Sequence, residues 1–281
     1  GGRAFNGGNP PPEIHFNDAK VPNPQQSTPP QTLLGAEQKA WFKDKLKGST
    51  AVWKIWANSK GALDYRADPQ NLPAGLTKES WPPNAFAALG GGDYGTAWTE
   101  RAEIYHLVRD AKITGFAIVS GDRHSFWAGY ATAELPPGKF EPIGLSFVGG
   151  SLVSPGVMEA YEHRLPKDAP LRPLFLADRE AGVKPDWTFN MLLKHGVRAC
   201  FEYAKSFDLK RARSLSNPDL APHLTFVDLG GHGYAKVRLS AQEMRTEFVC
   251  IPPSIARSER PDGGPIRYRV LHTAALWKSG E

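Results

Sequence analysis

Apolar residues recur along the chain at two spacings, one typical of helices and one typical of strands. In residues 34–47 they fall near one helical face and Gly48 follows as a terminator, which predicts a helix. Residues 51–58 are patterned like a strand, with Val52, Lys54 and Trp56 on one face and Trp53 and Ile55 on the other. The same patterns predict a helix over 97–112 and a buried strand over 113–120. Alternating helices and strands indicate a layered α/β core.

The rest of the chain contains further elements of both kinds. Residues 143–148 predict a strand that runs into a turn-rich loop at 149–156, and residues 187–207 have a mostly helical pattern. Successive strands of a second sheet are predicted at 224–228, 234–239 and 247–251. The stretch 61–95 is rich in Gly, Pro and Asn and predicts a long irregular connection, which in a compact domain is more often functional than idle.

Composition narrows the class of protein. The chain has 281 residues, 41% of them hydrophobic, enough for one large domain or two small ones. Lys and Arg outnumber Asp and Glu by 34 to 29, without the clustered basic stripe of nucleic-acid binding proteins, so we expect no nucleic-acid partner. No apolar run approaches the roughly 18 residues of a membrane helix, so no transmembrane segment is predicted.

The two cysteines and the N-terminal segment leave alternatives open. Cys200 and Cys250 exclude a multi-disulfide scaffold and a four-cysteine zinc module, and they form either one bridge or two buried free thiols. Residues 1–33 are rich in Pro and Gly and are predicted to be an irregular segment ahead of a main domain at 34–281. Such a start indicates either a surface loop or numbering that begins within a longer protein.

The clearest chemical motif is the Asp122-Arg-His124 sequence directly after the apolar strand pattern. A carboxylate and an imidazole two residues apart at the end of a buried strand can reach one cation, and the carboxyl ends of strands are the usual ligand positions in open α/β sheets. The alternative is a polar pair satisfied by hydrogen bonds. Gly121 permits a sharp exit from the strand, and Trp127 supplies an aromatic wall, whereas Trp41 is expected in the core.

A second candidate is His232, which stands between glycines ahead of a predicted strand. This placement is compatible with a metal ligand, a proton donor or a phosphate contact, and equally with a turn histidine that has no chemical task. His195 lies within a helical pattern, which favours a structural role. The loop 149–156 has the glycine content of a phosphate cradle but lacks the Gly-Lys-Ser/Thr ending of a P-loop.

Several segments, taken in order, resemble the alkaline phosphatase D (PhoD-like) branch of the metallophosphoesterases. The landmarks are Leu-Gly-Ala-Glu-Gln at 34–38 with Trp41, Ser-Thr-Ala-Val-Trp-Lys at 49–54, Asp93 with Glu100-Arg101, Ser-Gly-Asp-Arg-His-Ser-Phe-Trp at 120–127, Val-Ser-Pro-Gly at 153–156, and Asp228 with His232-Gly-Tyr234. Their order over roughly 200 residues makes the resemblance stronger than any single motif.

The resemblance implies a four-layer αββα sandwich of which this chain is the C-terminal portion, with a dinuclear metal centre that hydrolyses phosphate monoesters or diesters. It implies that Asp122 and His124 are metal ligands, that His232 is catalytic at or near the site, and that Asn58 and Trp127 contact substrate. Arg123 is expected to face solvent. The two metal ions are drawn from Fe, Ca, Zn and Mn, among which Ca would need more oxygen donors.

The resemblance also implies that the ligand set in these residues is incomplete. The family takes further ligands from an N-terminal half that has no counterpart in this sequence, and two residues cannot hold two metals. We therefore expect the N-terminal half as a separate chain or a cleaved fragment. The family resemblance also implies a periplasmic or secreted location. The competing hypothesis is a non-catalytic binding or scaffold subunit on a degenerate phosphoesterase fold.

Overall fold

The structure is a computed structural model. It describes residues 2–4, 12–16, 19–22, 31–78, 80–83, 85–88, 92–251 and 268–275. Helices α1 to α6 are, in chain order, Gly35–Gly48, Trp98–Asp110, Val157–Arg164, Phe189–His195, Val197–Ser206 and Leu209–Ser214. Strands β1 to β15 are, in chain order, Gly2–Ala4, Glu13–Phe16, Ala19–Pro22, Lys54–Ala57, Arg66–Ala67, Ala85–Ala88, Phe116–Ser120, Phe126–Glu134, Glu141–Val148, Leu176–Ala177, Asp186–Trp187, Leu224–Asp228, His232–Leu239, Glu243–Ile251 and Tyr268–Ala275.

A five-stranded mixed sheet forms the centre of the fold, in the order β12-β8-β9-β7-β4. The pairs β4·β7 and β7·β9 are parallel, so the carboxyl ends of these strands lie at the same edge. The pairs β8·β9 and β12·β8 are antiparallel. Because β7 is the middle of the parallel part, the turn that follows it lies where α/β sheets commonly bind ligands.

Helices α1 and α2 cover one face of this sheet, and the three-stranded sheet β13-β14-β15 covers the other. On the helical side, Trp56 and Phe116 pack with Ile104 of α2. Between the sheets, Phe126 stacks on Phe248 with ring centroids 5.0 Å apart. The layers are therefore helix, sheet and sheet, which confirms the predicted α/β class and matches part of the four-layer sandwich. Within the described residues no second helical layer covers the outer face of β13 to β15, where Leu271 is 60% exposed.

A third cluster joins the shorter C-terminal helices to the edge of the central sheet. Met158 of α3, Phe189 of α4 and Cys200 of α5 pack with Trp127 and Leu224 from the sheet. This cluster places α3 and α4 beside the turn that follows β7. It therefore supplies apolar walls next to the Asp-x-His motif.

Several predicted elements agree closely with the structure and a few do not. Residues 224–228 form a strand as predicted, but it pairs with β8 in the central sheet, so its assignment to a second sheet is wrong. The strand β8 and the helix α3 were not predicted. Trp41 is 58% exposed, so its assignment to the core is wrong. On α1, Trp41 lies on a different face from the buried Leu46.

The structure also describes parts of the N-terminal segment, the two cysteines and the length and apolar character of the helices. Within 1–33, predicted to be irregular, short strands occur: β1 pairs with β6, and β2 pairs with β3. Cys200 and Cys250 are both buried free thiols and lie in different core clusters, so the bridge is not formed. Among the described helices, none has both the length and the apolar character needed to span a membrane.

Candidate active site

The turn between β7 and β8 carries the Asp-x-His pair. β7 ends at Ser120 and β8 begins at Phe126, so the turn comprises residues 121–125. Asp122 and His124 both have positive φ angles, 71° and 48°, which residues other than glycine rarely adopt. Backbone held in this region costs free energy and persists where surrounding contacts fix it, as often happens at functional sites.

Ser125 and Trp127 brace the turn from inside. The Ser125 hydroxyl donates to the Arg123 carbonyl over 2.6 Å and accepts from the Trp127 indole nitrogen over 2.7 Å. Both side chains are buried, and Trp127 lines a cavity next to the turn. Trp127 is therefore suitably placed for the predicted contact with substrate, which stays a prediction.

Arg123 anchors the turn to the preceding part of the chain. Its Nε donates to Asp93 Oδ2 over 2.8 Å and its Nη2 to the Leu63 carbonyl over 2.7 Å. The guanidinium carbon lies 4.5 Å from the ring centroid of Tyr65 and 4.9 Å from that of Trp127, within cation–π range. Because Arg123 is only 7% exposed, the expectation that it faces solvent is wrong.

Asp122 is held by a neighbouring cation rather than by its own turn. Lys60 Nζ lies 3.0 Å from Asp122 Oδ1. Asn58, at the carboxyl end of β4, shapes the Lys60 backbone, since its amide donates to the Lys60 carbonyl over 2.8 Å and accepts from the Lys60 N–H over 3.2 Å. Asn58 is not among the residues that line the cavity. Its predicted contact with substrate stays a prediction. In the structure the Asn58 side chain positions the backbone of Lys60.

The ring of His124 is oriented by a backbone carbonyl. His124 Nδ1 lies 2.9 Å from the Pro155 carbonyl oxygen. A carbonyl only accepts, so Nδ1 carries the proton and Nε2 presents its lone pair. Metal-binding histidines in proteins are commonly oriented in this way.

His232 lies beside the loop 149–156, the loop whose Pro155 carbonyl contacts His124. The residue is 2% exposed, and its Nε2 lies 3.3 Å from Glu159 Oε1. Glu159 also accepts from the Gly156 N–H over 2.9 Å. A Cβ placed on Gly156 would lie 3.5 Å from His232 Nε2 and 3.8 Å from the His124 carbonyl oxygen. Gly156 thus lies next to both histidine segments, and an added methyl group would make only ordinary van der Waals contacts there.

A cavity of about 500 Å³ opens beside the turn. Its polar lining includes Asp122, Arg123 and His124, and its apolar lining comes largely from aromatic rings near α3 and α4. Burial raises the pKa of Tyr65, which also lines the cavity, to about 12, so its phenol stays protonated at neutral pH. His232 is not among the lining residues.

The donors in the site suit a metal in kind and fall short in number. Carboxylate oxygen from Asp122 and imidazole nitrogen from His124 are ordinary ligands of Zn, Mn or Fe. Within the described part of the chain, however, no three His, Cys, Asp or Glu side chains are grouped closely enough to hold a metal ion. These residues alone therefore do not form a metal centre.

Sequence reasoning missed several residues of the site. Lys60 pairs with Asp122, which is distant in sequence. Glu159 lies on α3, a helix that was not predicted, and contacts the distant His232. No local sequence pattern marked either residue. Tyr65 lies in the 61–95 connection, whose composition did indicate function. Arg123 was visible inside the motif, and only its environment was misjudged.

Comparison with known proteins identifies relatives of this chain in sequence and in structure. A family model described as PhoD-like phosphatase matches residues 3–184. The curated protein alkaline phosphatase D of Bacillus subtilis (strain 168) is 24% identical over 137 residues, which make up 49% of this chain and 21% of that protein. A solved structure described as "Structure of PhoD" matches with a TM-score of 0.51 and 14% identity, covering 92% of this chain and 36% of that chain.

The central mixed sheet and its helices form an α/β fold that is shared with the solved PhoD structure. The family match extends over more than half of the sequence, and the chain belongs to the PhoD-like phosphatase family. This confirms the family resemblance inferred from the motifs. The chain spans 21% of the length of the curated relative and 36% of the solved one.

Proposed function

We propose that this chain takes part in metal-dependent hydrolysis of phosphate esters, of the phosphomonoesterase or phosphodiesterase type. The observation that carries the proposal is the braced turn in which Asp122 and His124 border a cavity at the carboxyl end of a parallel strand. Family membership supports the same chemistry.

In this proposal Asp122 and His124 contribute to a dinuclear metal centre. Bound cations would supply Lewis acidity and charge neutralisation at the phosphoryl group. The chain's own residues orient the donors: the Pro155 carbonyl fixes the His124 ring, and Lys60 holds one oxygen of Asp122. The metal is Fe, Ca, Zn or Mn, and the donor types favour the transition metals.

His232 is proposed as a proton donor or acceptor in the reaction. Its ring is buried, neither ring nitrogen has a hydrogen-bond partner among the described residues, and Nε2 lies 3.3 Å from Glu159 Oε1 without hydrogen-bond geometry. An imidazole with an unused nitrogen next to a carboxylate has the chemistry of a general acid or base.

The shortage of donors requires ligands from outside the described residues. We propose that they come from the N-terminal part of the family's catalytic domain, as a separate chain or a cleaved fragment. The shared requirement of roughly four or more donors per cation supports additional ligands. No comparison favours a separate chain over other arrangements, so that part stays a prediction.

A non-catalytic binding or scaffold role is the second candidate. It is favoured by the absence, within the described residues, of any group of three metal-binding side chains. It predicts that the purified protein contains no stoichiometric metal and hydrolyses no phosphate ester after metals are supplied.

Metal analysis combined with Asp122→Ala separates the two functions. We expect the wild-type protein, with any associated chain, to contain metal and to hydrolyse phosphate esters, and the variant to lose both. Asp44→Ala is the control, because its side chain is 80% exposed and distant from the turn motif in sequence. Full activity in Asp122→Ala would remove the proposed site, and a metal-free, inactive wild type would favour the scaffold.

The proposal includes a periplasmic or secreted location, which rests on the family resemblance alone. Cell fractionation of the native host checks it. Recovery of the protein with cytoplasmic markers would contradict it.

A further inference from the structure

We infer that the cavity beside Asp122 and His124 binds the leaving group of the ester, and that this group carries a flat aromatic ring. This inference rests on the proposed function, since it names the substrate class of that site. Its basis is the division of the cavity into a polar lining and an aromatic lining that come from different elements of the fold.

The aromatic lining is built by two ring clusters. Tyr161 of α3 stacks on Phe175 with centroids 4.9 Å apart, and both rings meet the edge or face of Phe189 at 5.5 and 4.8 Å. Across the cavity lining, Tyr65 packs against Trp127 at 5.1 Å. Phe189 and Trp127 are almost fully buried, whereas Tyr65, Tyr161 and Phe175 are half-buried and leave ring surface open.

Rings in this arrangement favour another ring over a flexible polar chain. Offset and edge-to-face contacts between aromatic rings add free energy beyond that of apolar burial. Val157 and Leu229 complete the lining with purely apolar surface. A cavity of about 500 Å³ has ample room, because an apolar cavity of roughly 150 Å³ already holds a benzene molecule.

The charges of the cavity also favour a neutral leaving group. Of its two carboxylates, Asp93 pairs with Arg123 and Asp122 pairs with Lys60. Arg123 Nη1 is buried and has no hydrogen-bond partner among the residues that the structure describes, so within them one donor next to the aromatic walls is unused. A ring that bears an oxygen acceptor would satisfy it, whereas a polyol would leave its own hydroxyl groups against apolar surface.

Binding of two phosphonates tests the inference without turnover. Phenylphosphonate and methylphosphonate carry the same anionic head, so a difference in affinity reports the ring alone. By calorimetry with the purified protein in its native metal state, we expect phenylphosphonate to bind about tenfold more tightly or better. Equal affinities would overturn the inference.

Variants assign the difference to the aromatic lining. Tyr161→Leu keeps apolar volume and removes the ring face, so the preference should fall by about fivefold or more. Tyr161→Phe should retain it, as should Phe140→Leu, a half-buried ring that packs on Tyr130 away from the cavity. Unchanged preference in a folded Tyr161→Leu protein would exclude this site. If that variant does not fold, Phe175→Leu takes its place with the same criterion.

Turnover separates this inference from the proposed function. Benzyl phosphate and propyl phosphate have alcohols of similar reactivity, so a higher kcat/KM for benzyl phosphate supports the aromatic leaving-group site. Equal hydrolysis of both esters overturns the inference and leaves the proposed function standing. Selective binding of phenylphosphonate with hydrolysis of neither ester, after metals are supplied, overturns the proposed function and leaves an aromatic binding site.

Discussion

Arg123 Nε lies 2.8 Å from Asp93 Oδ2, and this buried ion pair ties the turn after β7 to the loop before α2. Both side chains are almost fully buried, and Asp93 Oδ1 also accepts from the Gly95 N–H over 2.7 Å. The residue between Asp122 and His124 thus fixes the backbone that aims them. The site is held by a contact between segments 30 positions apart in sequence.

Removing this guanidinium should destabilise the fold strongly. In Arg123→Gln, Asp93 is left buried without its cation, and such losses cost about 3–5 kcal/mol. Arg109→Gln removes more exposed ion pairs, with Asp110, Glu141 and Glu134, and should be much milder because solvent screens them. Urea unfolding of both variants measures the difference. Similar losses in the free energy of unfolding for the two variants would show that the buried pair stabilises the fold no more than exposed pairs do.

Gly61 provides the space that the Arg123 side chain occupies. A Cβ at Gly61 would lie 2.2 Å from Arg123 Nε, and the guanidinium cannot move aside because Asp93 and Leu63 hold it. Gly61→Ala should therefore cost about 2 kcal/mol by overpacking. In Gly121→Ala, in the turn that carries Arg123, the added methyl group meets no atom within 4 Å in the described part of the chain, so the change should be much milder.

A double-mutant cycle identifies the cause of the Gly61 effect. In an Arg123→Ala background, which removes Cδ, Nε and Cζ, the clash is absent, so Gly61→Ala should cost less than in the wild type. Additive free energies of unfolding would mean that Gly61 is required for another reason.

His223 should make stability depend on pH. Burial lowers its pKa from 6.5 to about 4, although its Nε2 donates to the Asp64 carbonyl over 2.7 Å. The unfolded chain therefore binds a proton more readily, so this stability is present above pH 6.5 and is lost as pH falls toward 4. From pH 7.5 to pH 5 the loss from this group is about 2 kcal/mol.

His223→Gln isolates the contribution of that imidazole. The amide can still donate to the Asp64 carbonyl but does not titrate, so its free energy of unfolding should fall less between pH 7.5 and pH 5 than that of the wild type. Urea unfolding at both pH values gives the two differences. Equal losses would assign the acid sensitivity to other groups.

Local patterns predicted the elements whose two sides differ in environment. The helix at 35–48 and the strand at 224–228 follow their sequence patterns closely, and the Asp-x-His motif lies at a strand end as expected. β8 was missed because it lies between β9 and β12 and is buried over most of its length, so apolar and polar residues do not alternate along it.

Long-range pairing explains what the sequence could not predict at the site. Arg123 is a charged residue in a turn, which normally indicates solvent exposure, and partners distant in sequence, Asp93 and the Leu63 carbonyl, make its burial favourable. Glu159 reaches His232 from a helix whose pattern was too short to recognise. Such contacts depend on tertiary structure, and periodicity does not encode them.

Gly233 should be the least replaceable residue next to His232. It has a φ of 137°, and a Cβ there would lie 1.9 Å from the Val249 carbonyl oxygen of the paired strand β14. Gly233→Ala therefore combines backbone strain with a clash against a fixed strand and should cost about 3 kcal/mol or more. Its N–H also donates to the Ser151 carbonyl over 2.8 Å, so any shift also disturbs the loop leading to Gly156.

Gly75→Ala is the matched control for this substitution. Gly75 also has a positive φ, 83°, but no atom of the described residues lies within 4 Å of the position that an added methyl group would take, so it should show the cost of backbone strain alone, about 1–2 kcal/mol. Thermal and urea unfolding give both values, and phosphate-ester hydrolysis is measured on the folded fraction. If Gly233→Ala is no worse than Gly75→Ala in stability and retains full activity, the β13–β14 pairing does not position His232.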